Sequence, residues 1–301
     1  MEAHVGTGGI SITVPLADVS VDQDVLLALA DRFLEAASVV QKWRTLGKPL
    51  RKLETQLRKV FALQHAVLQR GLRTRLAGRE SDRQRPAGES RLREALTLDD
   101  WLAVFDLATG ESTPVFFEAL QGGIGRALEV GALGLIREFG VDVTFSLLQP
   151  RAVAYLDAHG YGLISQIDAL TRGNIATIVS NGTDMGWSYD RIAREISTLY
   201  REMAIGKPQQ HIASRAHLIS VTEMGNGYED GSRQVVDELA ASGLRMEKKW
   251  LTVHDERVSD GCQANEAEGW IPLAQAFSSG HERPLRFPGC RCTALYRRAP
   301  A

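Results

Sequence analysis

The sequence predicts a mostly α-helical protein with a small α+β module at the C-terminal end, closed by a short antiparallel hairpin. Apolar residues recur at steps of three and four as far as Ala241, whereas short aromatic or β-branched runs bounded by Gly, Pro and Asp begin only at Trp250. The chain of 301 residues is long enough for two domains, each with its own core. We therefore expect a helical N-terminal region over 1–139 and a second domain over 140–301.

The net charge of the chain gives no argument for general attraction to nucleic acid or membrane, but one segment is locally basic. The formal net charge of the chain is -2, which provides no overall positive field. Between Lys48 and Arg79, however, nine Lys or Arg residues stand against the single acid Glu54. Such a segment is either solvated surface or a contact for a polyanion or an acidic partner. The predicted nucleic-acid contacts are Arg51, Lys52, Arg58 and Lys59.

Cysteine usage indicates a protein made in a reducing cytosol. The three cysteines are an odd number clustered at one end, unlike the framework of a secreted disulfide protein. The N-terminal residues lack a positive segment followed by an apolar run, and no window reaches the about 20 apolar residues of a membrane span. We expect neither secretion nor a membrane span.

The first helices are predicted to form a helical hairpin over 21–78. Residues 21–46 carry apolar side chains at helical spacing and end at Gly47, and a second apolar stripe runs from Pro49 to Gly78. Residues 80–91 have no apolar side chain larger than alanine and include a proline, so we expect an exposed loop there.

The middle of the chain predicts further helices. Thr97 caps a short helix, and a longer one over 113–139 is rich in glycine, which favours close packing of another backbone. More helices are expected at 150–158, 162–180, 188–204 and 208–241, the last interrupted near Gly225. The runs 250–253 and 292–296 are expected to pair as antiparallel strands.

The cysteines suggest a metal site or a buried thiol cluster. Cys262, Cys290 and Cys292 supply three potential thiolates, and His254, Asp255 or His281 is the candidate fourth ligand of a tetrahedral zinc site. The alternatives are free buried thiols or a facultative disulfide. Cys290 and Cys292 are poor partners for each other, because alternate residues of a strand lie too far apart for disulfide geometry.

The acidic turn after the first strand has two interpretations. Asp255, Glu256 and Asp260 beside His254 could form the catalytic set of a hydrolase or nuclease, or a solvated turn whose carboxylates accept local backbone hydrogen bonds. We expect Asp255, Arg257 and Arg291 to form a hydrogen-bonded clamp across the hairpin. The sequence contains no P-loop, dinucleotide glycine pattern, HExxH motif or Gly-x-Ser-x-Gly elbow.

The C-terminal motifs carry a family resemblance. Trp250-x-Thr, Asp255-x-Arg257 followed by Cys262, and Pro288-Gly-Cys-Arg291-Cys resemble the signature of the phage Mu protein F-like head morphogenesis family. Two positions depart from the family pattern, where Ser259 replaces the first cysteine of the turn and Phe287 replaces a histidine. With weaker matches upstream, the resemblance covers about residues 140–298.

The resemblance implies a non-catalytic minor head protein of a tailed phage or prophage. It implies a role in capsid morphogenesis, association with the portal or the capsid interior, and a place in the virion head after synthesis in the host cytoplasm. The implied partners are portal, capsid or scaffolding proteins and the packaged DNA, and the protein could leave the head with the genome. The alternatives are a toxin-like or nuclease enzyme on the same delivery module, or a zinc-dependent nucleic-acid-binding module.

The two departures predict that apolar packing replaces a metal crosslink in the C-terminal module. An enclosed aromatic residue contributes about 1.5 to 3 kcal/mol. We therefore expect Trp250, Phe287 and Leu295 to form one small core, with Cys290 and Cys292 reduced, no required cofactor, and little effect of chelators on stability.

Overall fold

The computed structural model describes residues 3–6, 9–12, 23–83, 96–141, 145–147, 150–205 and 214–300. In these ranges the protein is mostly helical, with a small three-stranded antiparallel sheet near the C-terminal end, as predicted. The elements are β1 (Ala3–Gly6), β2 (Gly9–Ile12), α1 (Gln23–Arg83), α2 (Leu98–Phe139), α3 (Pro150–Asp184), α4 (Tyr189–Ile205), α5 (Arg215–Ala241), β3 (Met246–Leu251), α6 (Asp260–Ala267), β4 (Ile271–Pro272) and β5 (Thr293–Arg298).

The predicted helical hairpin over 21–78 is wrong, because α1 is one continuous helix with Pro49 in its interior. An interior proline costs about 3 kcal/mol. Leu46, Leu50 and Leu53 on the two sides of it are all buried in one hydrophobic cluster, and each contributes about 1.5 to 3 kcal/mol. Their shared burial outweighs the missing hydrogen bond. The predicted loop over 80–91 is also wrong at 80–83, where α1 continues, and 84–91 lie outside the described residues.

The second helix is also longer than predicted, since α2 joins the short helix at Thr97 to the segment from Thr113. Thr97 is the N-cap, as expected. Its side chain accepts a hydrogen bond from the backbone N–H of Asp100, and the Asp100 carboxylate accepts one from the N–H of Thr97 at 2.9 Å. Pro114 lies inside α2, where buried Phe116 keeps the helix in the core.

The glycines of α2 allow direct backbone contact with α5, as predicted. A Cβ atom on Gly131 would lie 2.1 Å from the carbonyl oxygen of Tyr228, and one on Gly231 would lie 2.0 Å from that of Leu128. These separations leave no room for a side chain, so the two helices touch through their backbones. Helix α5 runs through Gly225 without the predicted interruption and begins after an N-cap at Ser214, whereas residues 208–213 are outside the described ranges.

The remaining helices follow the predicted order with fewer breaks. The segments expected at 150–158 and 162–180 form the single helix α3. Helix α4 begins next to Ser188, whose hydroxyl accepts a hydrogen bond from the N–H of Arg191. No helix in the described part of the chain is both long and apolar enough to cross a membrane.

The largest hydrophobic cluster joins the two predicted regions. It combines Leu57 and Phe61 of α1 and Ile124 of α2 with Ile164 of α3 and Met224 of α5, among others. The N-terminal helices and the helices after residue 140 therefore share one core.

The sheet has the order β4-β3-β5, and both pairings are antiparallel. The predicted pairing of the two terminal strands is confirmed, with Trp250 opposite Ala294 and Leu251 opposite Thr293. Neither β4 nor α6 was predicted, and the expectation that strands begin only at Trp250 is wrong, because β1 and β2 pair antiparallel in a separate two-stranded sheet. A second cluster, which includes Leu135 of α2, Val236 of α5, Met246 of β3 and Tyr296 of β5, packs this sheet against the helices.

A buried ion pair connects α1, α5 and the start of β5. The ammonium group of Lys42 lies 2.6 Å from Glu229 Oε1, and both side chains are fully buried. Lys42 also donates to the carbonyl of Cys292 at 2.8 Å. The Glu229 carboxylate accepts two more hydrogen bonds, from the Thr293 hydroxyl at 2.6 Å and the Ala294 N–H at 2.9 Å. This network fixes the approach to β5 against two helices that are distant in sequence.

We predict that Glu229→Gln lowers the free energy of unfolding by about 3 to 5 kcal/mol, because it leaves the Lys42 charge buried without a counter-ion. Urea titration followed by circular dichroism measures the change. The matched control is Glu129→Gln, which breaks a partly exposed ion pair with Arg126 and should cost less than about 1 kcal/mol. Equal destabilisation of the two variants would contradict the prediction.

Candidate functional site

Three segments bring the cysteines together. Ser259 caps the N-terminus of α6 and accepts the N–H of Cys262, which places that cysteine in the first turn. Cys290 ends a tight turn in which its N–H donates to the carbonyl of Phe287 at 3.0 Å. Gly289 has a φ of 83° there, the conformation that the third residue of a type II turn requires after Pro288. Cys292 directly precedes β5.

The three sulfur atoms form one compact, buried group. All three cysteines are free, with 1 to 3% of each residue exposed. The sulfurs of Cys262 and Cys290 are 3.9 Å apart, and all three sulfurs lie within 4.8 Å of one another. Two sulfurs bound to one tetrahedral zinc ion at about 2.3 Å are about 3.8 Å apart. The Cys262–Cys290 separation is therefore compatible with a shared metal ion, and the three sulfurs form a group that could hold one.

The cluster has a strongly asymmetric acidity. Hydrogen bonds from the Cys292 thiol and from the backbone N–H groups of Cys292 and Arg286 lower the pKa of Cys290 to about 6. Burial raises the pKa of Cys262, and the hydrogen bond to Cys290 raises that of Cys292. Cys290 is therefore the thiol of the cluster that ionises most readily. A bound cation would favour the thiolate form of the other two cysteines as well.

Two side chains next to the sulfurs act on individual thiols. Burial raises the pKa of Cys262, and a hydrogen bond from the Ser259 hydroxyl to its thiol opposes part of that rise, so Ser259 adjoins the cluster. The Trp250 indole N–H is fully buried without a hydrogen-bond partner among the described residues, and the indole is the weakest influence on the pKa of Cys292, opposing a rise that the Cys290 hydrogen bond and burial cause. Neither contact reverses the outcome, because the pKa of Cys262 and the pKa of Cys292 both stay above the ordinary value for a thiol.

None of the predicted fourth ligands joins the cysteines in the described structure. His254 is exposed, and its Nε2 atom lies 3.2 Å from Glu266 Oε1. Asp255 pairs with Arg291, and His281 Nδ1 lies 3.0 Å from the Ser279 hydroxyl. The expected ligand set is thus limited to the three sulfurs.

The expected clamp at the acidic turn is present in modified form. The Arg291 guanidinium donates to Asp255 at 2.7 Å, whereas Arg257 contributes its backbone N–H and leaves its side chain exposed. Burial alone would raise the pKa of Asp255, but these hydrogen bonds hold it below its ordinary value. Asp255, Glu256 and Asp260 do not gather into an acidic cluster within the described residues.

The predicted small core has different members. Trp250 is fully buried, but its aromatic neighbour is Phe277, at 5.2 Å between ring centroids in an edge-to-face arrangement. Phe287 is 36% exposed and Leu295 is only half-buried, so the prediction that these two complete the core is wrong. The turn at Pro288 directs the Phe287 ring outward. The sulfurs of the three cysteines and Ile271 fill the remaining space around Trp250.

Sequence reasoning missed the contacts that hold the Cys-Arg-Cys segment. Trp43 of α1 donates its indole N–H to the carbonyl of Arg291 at 2.9 Å. The N–H of Gly289 donates to the Thr222 hydroxyl of α5 at 2.9 Å. Together with Lys42, these residues bind the backbone on both sides of the cysteines. A lysine within an apolar helical stripe was the available signal, because a lone charge there requires a buried partner.

The four predicted nucleic-acid contacts on α1 are far in sequence from this site, and all four are exposed.

Comparisons of the chain with known protein families, with curated proteins and with solved structures found no match.

We predict that Phe277→Ala lowers the free energy of unfolding by about 3 to 5 kcal/mol, because it opens a cavity beside Trp250. The matched control, Phe287→Ala, removes a ring that is partly solvated and should cost less than about 1 kcal/mol. Denaturant unfolding followed by tryptophan fluorescence distinguishes the two. A larger effect of Phe287→Ala than of Phe277→Ala would show that Phe287, and not Phe277, is the aromatic residue that covers the site.

Proposed function

We propose that this protein is a structural component of the head of a tailed phage or prophage, a minor head protein that acts in capsid morphogenesis and DNA packaging without catalysis. Its partners would be the portal protein and capsid or scaffolding proteins, and its place would be the virion head near the portal. The supporting argument is the sequence resemblance to the Mu F-like family, together with the way its signature residues are used in the fold.

The observation that carries the proposal is that the signature residues form one structural unit. Trp250 covers the cysteine cluster, Asp255 pairs with Arg291 across 36 positions of sequence, and Pro288 begins the turn that presents Cys290. Their mutual contacts support the interpretation of the motif as the framework of a single module.

The alternative of a nuclease or toxin-like enzyme receives less support. The only described group of three or more potential metal-binding side chains is the cysteine cluster, and its sulfurs are buried. Metal-dependent nucleases use carboxylates that are open to substrate. The buried thiols fit a structural role better.

We predict that the protein co-purifies with capsids or proheads and is absent from isolated tails. Quantitative mass spectrometry of separated heads and tails, with the major capsid and tail-tube proteins as markers, measures its distribution. Recovery only in tails or in the soluble fraction of the host would refute the proposal.

We also propose that the cysteine cluster binds one zinc ion that crosslinks the C-terminal module. The support is the 3.9 Å separation of the Cys262 and Cys290 sulfurs, which is close to the about 3.8 Å expected across a tetrahedral zinc ion, and the lowered pKa of Cys290. Phe287 does not enclose the site, and the aromatic ring that packs on Trp250 there is Phe277. Cys262, Cys290 and Cys292 would hold the ion, which would crosslink the three segments that carry them.

We predict close to one zinc ion per chain and a melting temperature that falls by several degrees on chelation, because a ligand at 100 times its Kd adds about 2.7 kcal/mol. Elemental analysis and thermal unfolding measure both. Ser259→Cys should raise zinc affinity by adding a fourth thiolate beside Cys262, whereas Cys290→Ser should abolish binding. Metal-free protein after purification with zinc, together with no response to a chelator, would leave the cluster as buried thiols.

A further inference from the structure

The exposed face of α1 is a continuous basic stripe. Its members are distributed along the central half of the helix, and every one of them is exposed. The stripe consists of Arg44, Lys48, Arg51, Lys52, Arg58, Lys59, Arg70 and Arg73.

Helical geometry places all eight cations on one side. At 100° per residue they fall within an arc of about 120°, and the rise of 1.5 Å per residue makes the stripe about 44 Å long from Arg44 to Arg73. The buried residues of the same helix, among them Leu46, Leu53 and Leu57, lie on the opposite side and belong to the main core. The core therefore holds the stripe in a fixed orientation toward solvent.

The positive charge of the stripe is almost uncompensated. Between Arg44 and Arg73 the only acid is Glu54, which lies beside the stripe and contacts both Arg58 and His217. None of the other seven cations forms an ion pair in the part of the chain that the structure describes. This arrangement contrasts with the net charge of -2 for the whole chain.

We infer that this stripe binds the phosphate backbone of double-stranded DNA without sequence preference. Eight cations over about 44 Å face the length of about 13 base pairs at 3.4 Å per pair, and each phosphate contact releases condensed counterions. A protein-docking face would carry aromatic or large apolar residues at its centre. The exposed positions between the cations within the same arc are instead Thr55, Ala62 and Ala66. Small side chains allow a duplex to approach the helix closely.

The inference depends on the charge and exposure of α1 and does not require the proposed role in a phage head. Binding of DNA by the purified protein tests the stripe, whereas the distribution between heads and tails tests the assignment to the virion. Either result can fail while the other stands.

The experiment compares two variants of the full-length protein from which the same number of positive charges, three, has been removed. The stripe variant carries Arg51→Gln, Lys52→Gln and Lys59→Gln. The control variant carries Arg137→Gln, Arg194→Gln and Arg298→Gln, all exposed residues outside α1. Circular dichroism and thermal unfolding establish that both are folded. The probes are two duplex DNAs of unrelated sequence, twice the length of the stripe, titrated by fluorescence anisotropy at several salt concentrations.

The expected result is equal affinity of the unmodified protein for the two duplexes, with log Kd changing linearly with log salt. The stripe variant should bind about two orders of magnitude more weakly at about 0.1 M salt, and the magnitude of its salt slope should be lower by about three, one for each phosphate that is no longer neutralised. The control variant should match the unmodified protein. Absence of duplex binding at low salt, equal binding by the two variants, or tighter binding of poly-glutamate than of either duplex would each overturn the inference. The last outcome would identify an acidic protein as the partner.

Discussion

The arrangement of the molecule depends on the buried pair of Lys42 and Glu229. Removal of two charges from water costs several kcal/mol for each ion, so such a pair persists only where its geometry satisfies both partners. Here the carboxylate accepts hydrogen bonds from a lysine, a hydroxyl and a backbone N–H, and the lysine also binds the Cys292 carbonyl. These requirements are met in one relative position of α1, α5 and β5. The pair therefore determines how these three elements are oriented.

The same constraint determines how the cysteine cluster is supported. The backbone carbonyls of Arg291 and Cys292 are bound by two consecutive residues of α1, and the N–H of Gly289 is bound by α5. The C-terminal module is consequently continuous with the helical body and does not stand apart on a linker. A ligand on the sulfurs would therefore also stabilise the contact between Cys292 and Lys42, which lies 250 residues earlier in the sequence.

Local signals in the sequence predicted some elements correctly and failed to predict others. The cap at Thr97, the start of a helix at residue 188 and the pairing of the terminal strands depend on neighbouring residues or on short apolar runs, and all were predicted. Gly47 and Pro49 predicted a turn, but tertiary burial of the leucines around them kept the helix intact. The three cysteines were predicted as a group, whereas Lys42, Glu229 and Phe277 were missed because their partners are remote in sequence.

One side of helix α1 packs into the core, and the opposite side presents cations to solvent. Lys42 and the leucines point to the interior, and the cations point to solvent, with both patterns set by one unbroken helical phase. Insertion or deletion of one residue anywhere between Lys42 and Arg73 would rotate everything beyond it by about 100°. Apolar residues would then face water and cations would face the core. Substitutions along α1 can accumulate gradually during evolution, but its length in this interval cannot change by a single residue.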